Sequence, residues 1–162
     1  MKLDRILVPL DGSALAETAL GTAVDLARQT RATLVLLRAA EAHTFPGADP
    51  TDAQILVVRE AEDYLAGVAS RLGREGDAVE TGVWYGPAAP AIVDAARLRK
   101  ASLIVMSTHG RSGLGRLVMG SVAESVLRGT DVPILLLRAP GAPVQIPAGE
   151  AVARQSKETA HV

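Results

Sequence analysis

Strand-length aliphatic runs alternate with segments of helical period along most of this chain, and few folds accept that order. Leu3 to Pro9 (LDRILVP), Thr33 to Leu37 (TLVLL), Val79 to Trp84, Ser102 to Met106 (SLIVM) and Val132 to Leu137 (VPILLL) read as buried strands. Behind the first of them Ser13 is a predicted N-cap. Ala16, Ala19, Leu20, Ala23, Leu26 and Ala27 then recur at helical spacing up to Gln29-Thr30. Glu41 to Thr51 carries two Pro and a Gly and reads as a loop. Asp52 begins a long helix that turns Val58, Ala61, Leu65, Val68 and Leu72 to the core and ends at Gly73 and Gly76. Gly86-Pro87 opens a third helix to about Lys100, with Pro87 at its first position. A short helix spans about Gly120 to Arg128. Continuous aliphatic strands separated by helices require a parallel sheet covered on both faces. Right-handed crossovers make that an α/β, three-layer, doubly wound domain with a five-stranded parallel sheet. Pro133 has no N–H, which suits a last strand at the sheet edge.

Composition narrows the function classes. The 162 residues are 48% hydrophobic and 22% charged, a globular balance for one domain. Aromatic residues are 2%, namely Phe45, Tyr64, Trp84 and Tyr85, so the core is aliphatic and no platform for stacking single-stranded bases exists. A net charge of −1 argues against duplex nucleic acid as a partner. The absence of Cys excludes disulfides, thiol catalysis and cysteine-held zinc. No run approaches the length of a membrane span, and the N-terminus lacks the apolar stretch of a signal peptide. The expectation is a cytoplasmic domain over residues 1–138. Residues 139–162, with three Pro, two Gly and no sustained period, are expected to form a flexible tail, or else a partner-binding arm.

Ligands of open parallel sheets bind beyond the C-terminal strand ends, where strand order reverses. The segments there are Pro9 to Ser13, Arg38 to Ala40 and Ser107 to Ser121. The last holds four Gly, Arg111, Arg116 and several hydroxyls, and it leads into a helix N-terminus. Such a loop suits phosphate, since glycines let backbone N–H groups approach it and the helix end favours negative charge. It equally suits a plain turn with solvated arginines. It is not a G-x-x-x-x-G-K-[ST] loop, because it has no Lys, nor a G-x-G-x-x-G, because Arg116-Leu117-Val118 follows Gly113-Leu114-Gly115. His109 has neither a nucleophile nor an orienting partner in sequence, and Asp4, Asp11 and Asp94 show no metal-ligand spacing.

Ser107-Thr108-His109-Gly110, nine residues, then Gly120-Ser121 resembles the Gly-x2-Gly-x9-Gly-[Ser/Thr] motif of ATP-binding universal stress proteins in all but its first Gly. The opening RILVPLDGS and the stretch VMSTHGRSGLGRLVMGSVAESVLR with DVPILLLR are similar to the same family, over about residues 1–138. The resemblance implies a Rossmann-like fold, close to that of adenine-nucleotide alpha-hydrolases, with strand order 3-2-1-4-5. It implies an adenine nucleotide, ATP with Mg2+ on its phosphates, lying across the switch point. Asp11 would then meet the ribose hydroxyls or nearby adenine groups, Pro9 and Leu10 would border the base, and the Ala39 backbone would read its edge. Met106 would line the pocket. Gly110, Arg111, Gly120, Ser121 and Val122 would hold the phosphates. From the residues alone, Asp11 equally suits a turn or cap and Met106 ordinary core packing. Ser107 stands where the motif has its first Gly, which matters if the backbone there takes φ > 0, at a cost of about 1–2 kcal/mol.

The implied role is a regulatory module of the stress response that hydrolyses ATP slowly or not at all and forms a homodimer through the Val132–Leu137 edge. The alternative within the family is a dimeric interaction protein that binds no nucleotide. The related hydrolases tend to carry Ser-Gly-Gly-x-Asp-Ser after the first strand, where this chain has Leu10-Asp11-Gly12-Ser13-Ala14.

Overall fold

The computed structural model describes residues 2–42, 49–108 and 120–138. Their elements are β1 (Arg5–Pro9), α1 (Ala14–Thr30), β2 (Thr33–Ala40), α2 (Pro50–Gly73), β3 (Val79–Tyr85), α3 (Ala88–Leu98), β4 (Leu103–Thr108), α4 (Ser121–Gly129) and β5 (Ile134–Arg138). All strand pairs are parallel and the sheet order is β3-β2-β1-β4-β5, as the sequence implied.

Side chains alternate across the pleat, so β2 feeds two cores. Leu34 and Leu36 join Ile6, Val8 and the inner faces of α1 and α2. Val35 and Leu37 join Leu7, Ile104 and the inner faces of α3 and α4. Alanines at the second interface (Ala95, Ala96, Ala101, Ala123) are buried and let the helices approach closely. The apolar stripe of α1 includes buried Val24, while Leu26 packs at its margin.

Several element ends depart from the expected ones. β1 begins at Arg5, not Leu3, because its pairing with β2 starts at Arg5 opposite Thr33. β2 runs to Ala40, not Leu37, because β3 pairs with it residue for residue as far as Tyr85. β4 runs to Thr108, not Met106, because Ser107 and Thr108 pair with Leu137 and Arg138. The region expected as loop up to Thr51 gives its end to α2, where Asp49 accepts from the Thr51 N–H at 2.7 Å and Pro50 opens the helix. Pro87 is the N-cap of α3, one position earlier than expected. α4 starts at Ser121 with Gly120 as its cap, and β5 starts at Ile134, just after Pro133. Ser13 caps α1 as expected, accepting from the Ala16 N–H at 3.1 Å.

Two features secure the β3 side. Arg28, at the end of α1, donates from Nε and Nη2 to the two oxygens of Asp77, each at 2.8 Å, and also to Glu75. This two-pronged contact ties α1 to the turn between α2 and β3. On the other face Trp84 lies over Gly82, where a Cβ would come within 3.1 Å of the ring, and Arg99 sits 5.8 Å from the indole.

Candidate functional site

β1 and β4 are neighbours whose following helices leave to opposite faces, which opens a crevice at their C-terminal ends. A cavity of about 110 Å³ occupies it. Pro9, Leu10, Asp11, Ala39, Met106 and Val122, all singled out from sequence, line it. Gly120 and Ser121 stand beside it at the head of α4. Gly110 and Arg111, with His109 and Arg116, lie outside the described residues, as do residues 139–162.

The cavity wall is aliphatic, and its polar groups are few and directional. Asp11 is exposed at the rim, and its Oδ1 accepts from the Ser13 N–H at 2.9 Å, which fixes the carboxylate over the turn. The turn itself needs glycine, since Gly12 has φ +85°. Ala39 presents main chain. Peptide groups of successive strand residues point to opposite sides. The Leu37 carbonyl accepts from Leu10 on the β1 side, and the Ala40 carbonyl accepts from Gly86 on the β3 side. The peptide groups of Ala39 therefore face the β1 side, beyond Pro9, the last residue of β1 paired with β2. At the opposite wall α4 begins with Gly120, which supplies no side-chain cap. Its first-turn N–H groups and the positive end of its dipole face the crevice, an arrangement that suits an anion. An uncharged planar group between aliphatic walls, a hydroxyl-bearing group at Asp11 and an anionic group at α4 are what these surfaces can accept.

Ser107 is nine-tenths buried in β4, and it lines the same cavity. Among the described residues the non-glycine positive-φ positions are Arg31 and Lys100. The motif's missing glycine therefore carries no backbone strain. Ala16, Leu37, Ala88, Ile92 and Ala123 complete the wall and were not anticipated. A signal for Ala88 and Ile92 existed: they follow the third strand directly, and in a parallel sheet that loop also opens at the C-terminal end. Asp4, Asp11 and Asp94 do not converge, since Asp4 pairs with Lys2 before β1 and Asp94 with Arg97 on α3.

No described helix is long and apolar enough to cross a membrane. The family model for the universal stress protein family matches residues 2–138. A universal stress protein of Methanocaldococcus jannaschii is 30% identical over 140 residues, covering 84% of this chain and 82% of its own. The universal stress protein UspA of Lactobacillus plantarum superposes with a TM-score of 0.72 at 24% identity, over 85% of this chain and 99% of that one. A universal stress protein of Archaeoglobus fulgidus in complex with dAMP superposes with a TM-score of 0.61 at 22% identity, over 84% of this chain and 98% of that one.

Proposed function

The chain belongs to the universal stress protein family, and from that premise we propose that it binds an adenine nucleotide, ATP with Mg2+ on its phosphates, as a regulatory module in a stress response. The observation that carries the reading is the cavity at the switch point, with an aliphatic slot between a fixed carboxylate and an uncapped helix N-terminus. The adenine lies between Pro9, Leu10 and Met106, with its edge toward the Ala39 main chain. Asp11 accepts from the ribose hydroxyls. Gly120, Ser121 and Val122, together with Gly110 and Arg111, hold the phosphates through N–H groups and charge. The relative from Archaeoglobus fulgidus, in complex with dAMP, supports an adenine nucleotide as the class of ligand. These contacts amount to binding with little or no turnover. A cytoplasmic location belongs to the same reading.

A thermal-shift titration tests it. ATP, ADP or AMP at a hundred times its dissociation constant stabilises the fold by about 2.7 kcal/mol. No shift with any of the three overturns the reading and leaves a dimeric interaction protein that works without nucleotide.

The homodimer forms along β5. The strand lies at the sheet edge, and Ile134 to Leu137 are all only half-buried, a poor end for an aliphatic sheet unless it is covered. Light scattering at micromolar concentration is expected to return twice the chain's 16.8 kDa. A mass of one chain removes the dimer from the proposal.

A further inference from the structure

Ser107 is a polar residue on the cavity wall that the nucleotide contacts above do not use. At 9% exposure it is the only polar residue that is buried among the described ones. Its neighbour Thr108 donates to the Leu137 carbonyl at 3.3 Å, whereas the Ser107 hydroxyl has no hydrogen-bond partner among the described residues. Val105 packs on the α1 and α2 side of the sheet and Met106 on the α3 and α4 side, so the Ser107 side chain leaves β4 toward α1. Ala16 of α1 is on that side and lines the same cavity. β1 and β4 pair with Ile6 opposite Leu103 and Leu7 opposite Ile104. Continued past the paired residues, that register sets Leu10 level with Ser107, with Asp11 the next residue up. Ala123 of α4 packs against the opposite face of the sheet. The hydroxyl therefore stands beside Leu10 and Asp11, and across the sheet from the helix that begins at Ser121.

We infer that the Ser107 hydroxyl is a sugar contact: it donates to the ribose hydroxyl that in turn donates to Asp11, and so makes the site prefer a ribonucleotide to one whose sugar lacks those hydroxyls. The inference rests on the nucleotide reading above and deepens it to the sugar. A buried hydroxyl without a protein partner is satisfied only by what its cavity holds. An ionised carboxylate accepts and cannot donate, so Asp11 takes the proton of a sugar hydroxyl and leaves the lone pairs of that oxygen unused. Ser107, a donor on the neighbouring strand, supplies the proton that they accept. The two bonds form a chain, serine to sugar to carboxylate, in which each polarises the next. The glycine that the motif has at this position offers main chain only, so the contact belongs to the serine of this chain.

The test is calorimetric titration of the wild type, Ser107→Ala and Ser107→Gly with ATP and with 2′,3′-dideoxy-ATP, after a thermal melt of each unliganded chain. Ser107→Ala keeps the Cβ and loses the hydroxyl. It is expected to melt with the wild type, since no hydrogen bond within the protein is lost. It is expected to bind ATP about fivefold more weakly, the worth of a hydrogen bond between neutral groups. Its affinity for the dideoxy nucleotide is expected to stay within about twofold of the wild type. Ser107→Gly follows Ser107→Ala toward both nucleotides. Unchanged ATP affinity in Ser107→Ala, or an equal loss for both nucleotides, overturns the inference while the nucleotide reading stands. So does a Ser107→Gly chain that binds ATP more tightly than the wild type, because the serine then obstructs the sugar. A Ser107→Ala chain that melts well below the wild type puts the hydroxyl in the service of the fold and overturns the inference as well. Failure of the wild type to bind either nucleotide overturns both.

Discussion

Ala39→Phe is expected to abolish nucleotide binding while leaving the fold intact. Ala39 is on the cavity wall, on the same face of β2 as Leu37, so a ring added at its Cβ enters the space between Ala88, Ile92 and Met106. The cavity is about 110 Å³, and a phenyl group placed there competes with a base for the same space. Affinity is expected to fall by at least about a hundredfold, or about 3 kcal/mol. Stability is expected to change by less than about 1 kcal/mol, because the new side chain occupies existing space and aromatic residues are favoured in strands. Thermal melts with and without ATP read both quantities at once: the variant's melt stays near the wild type's, and its response to ATP disappears. A variant that still shifts fully with ATP places the base somewhere other than beside Ala39.

Leu36→Ala is expected to be the converse, a large loss of stability with no direct contact to the cavity. Leu36 is 0% exposed and lies among Ile6, Val8, Leu65 and Val68 where α1 and α2 meet the sheet. Truncating it removes apolar burial and leaves a void that close-packed neighbours on a hydrogen-bonded sheet can only partly fill. The expected cost is about 3 kcal/mol, measured by chemical denaturation. The control is Leu98→Ala on the outer side of α3, where the residue is 64% exposed and the change is expected to stay within about 0.5 kcal/mol. A Leu36→Ala midpoint as close to wild type as that of Leu98→Ala would mean that the α1–α2 core is not what holds the sheet.

The layers were legible because the central strands are buried on both faces, and a residue such as Leu7 or Val35 must be aliphatic whichever way it points, whereas the strand order followed only from the family resemblance. Strand ends were not, because they are set by the partner strand. Nothing in Arg38-Ala39-Ala40 reads as strand until β3 is seen to pair with it, and Ser107-Thr108 reads as loop until β5 does. The start of α2 was hidden by proline's usual meaning; Asp49-Pro50 is a cap and a first helical position, not part of a loop. At the site, Asp11 and the Gly120-Ser121 pair could be named through the family resemblance, since from the residues alone a turn or a cap accounts for them equally well. Ala88 and Ile92 carried only the signal of their place after the third strand, because small and aliphatic residues at the head of a helix look like any other core.

The chain has a single tryptophan, and its place over Gly82 gives that fact an optical use. Trp84 is the register partner of Ala39 and sits on an edge strand beside the Arg99 cation. Intrinsic emission excited at the indole band therefore reports from one location, the outer end of the β2–β3 ladder. Far-ultraviolet dichroism averages over every helix. Where the two signals change together the molecule melts as a unit, and where emission moves first the β3 edge is peeling from a sheet that is otherwise whole.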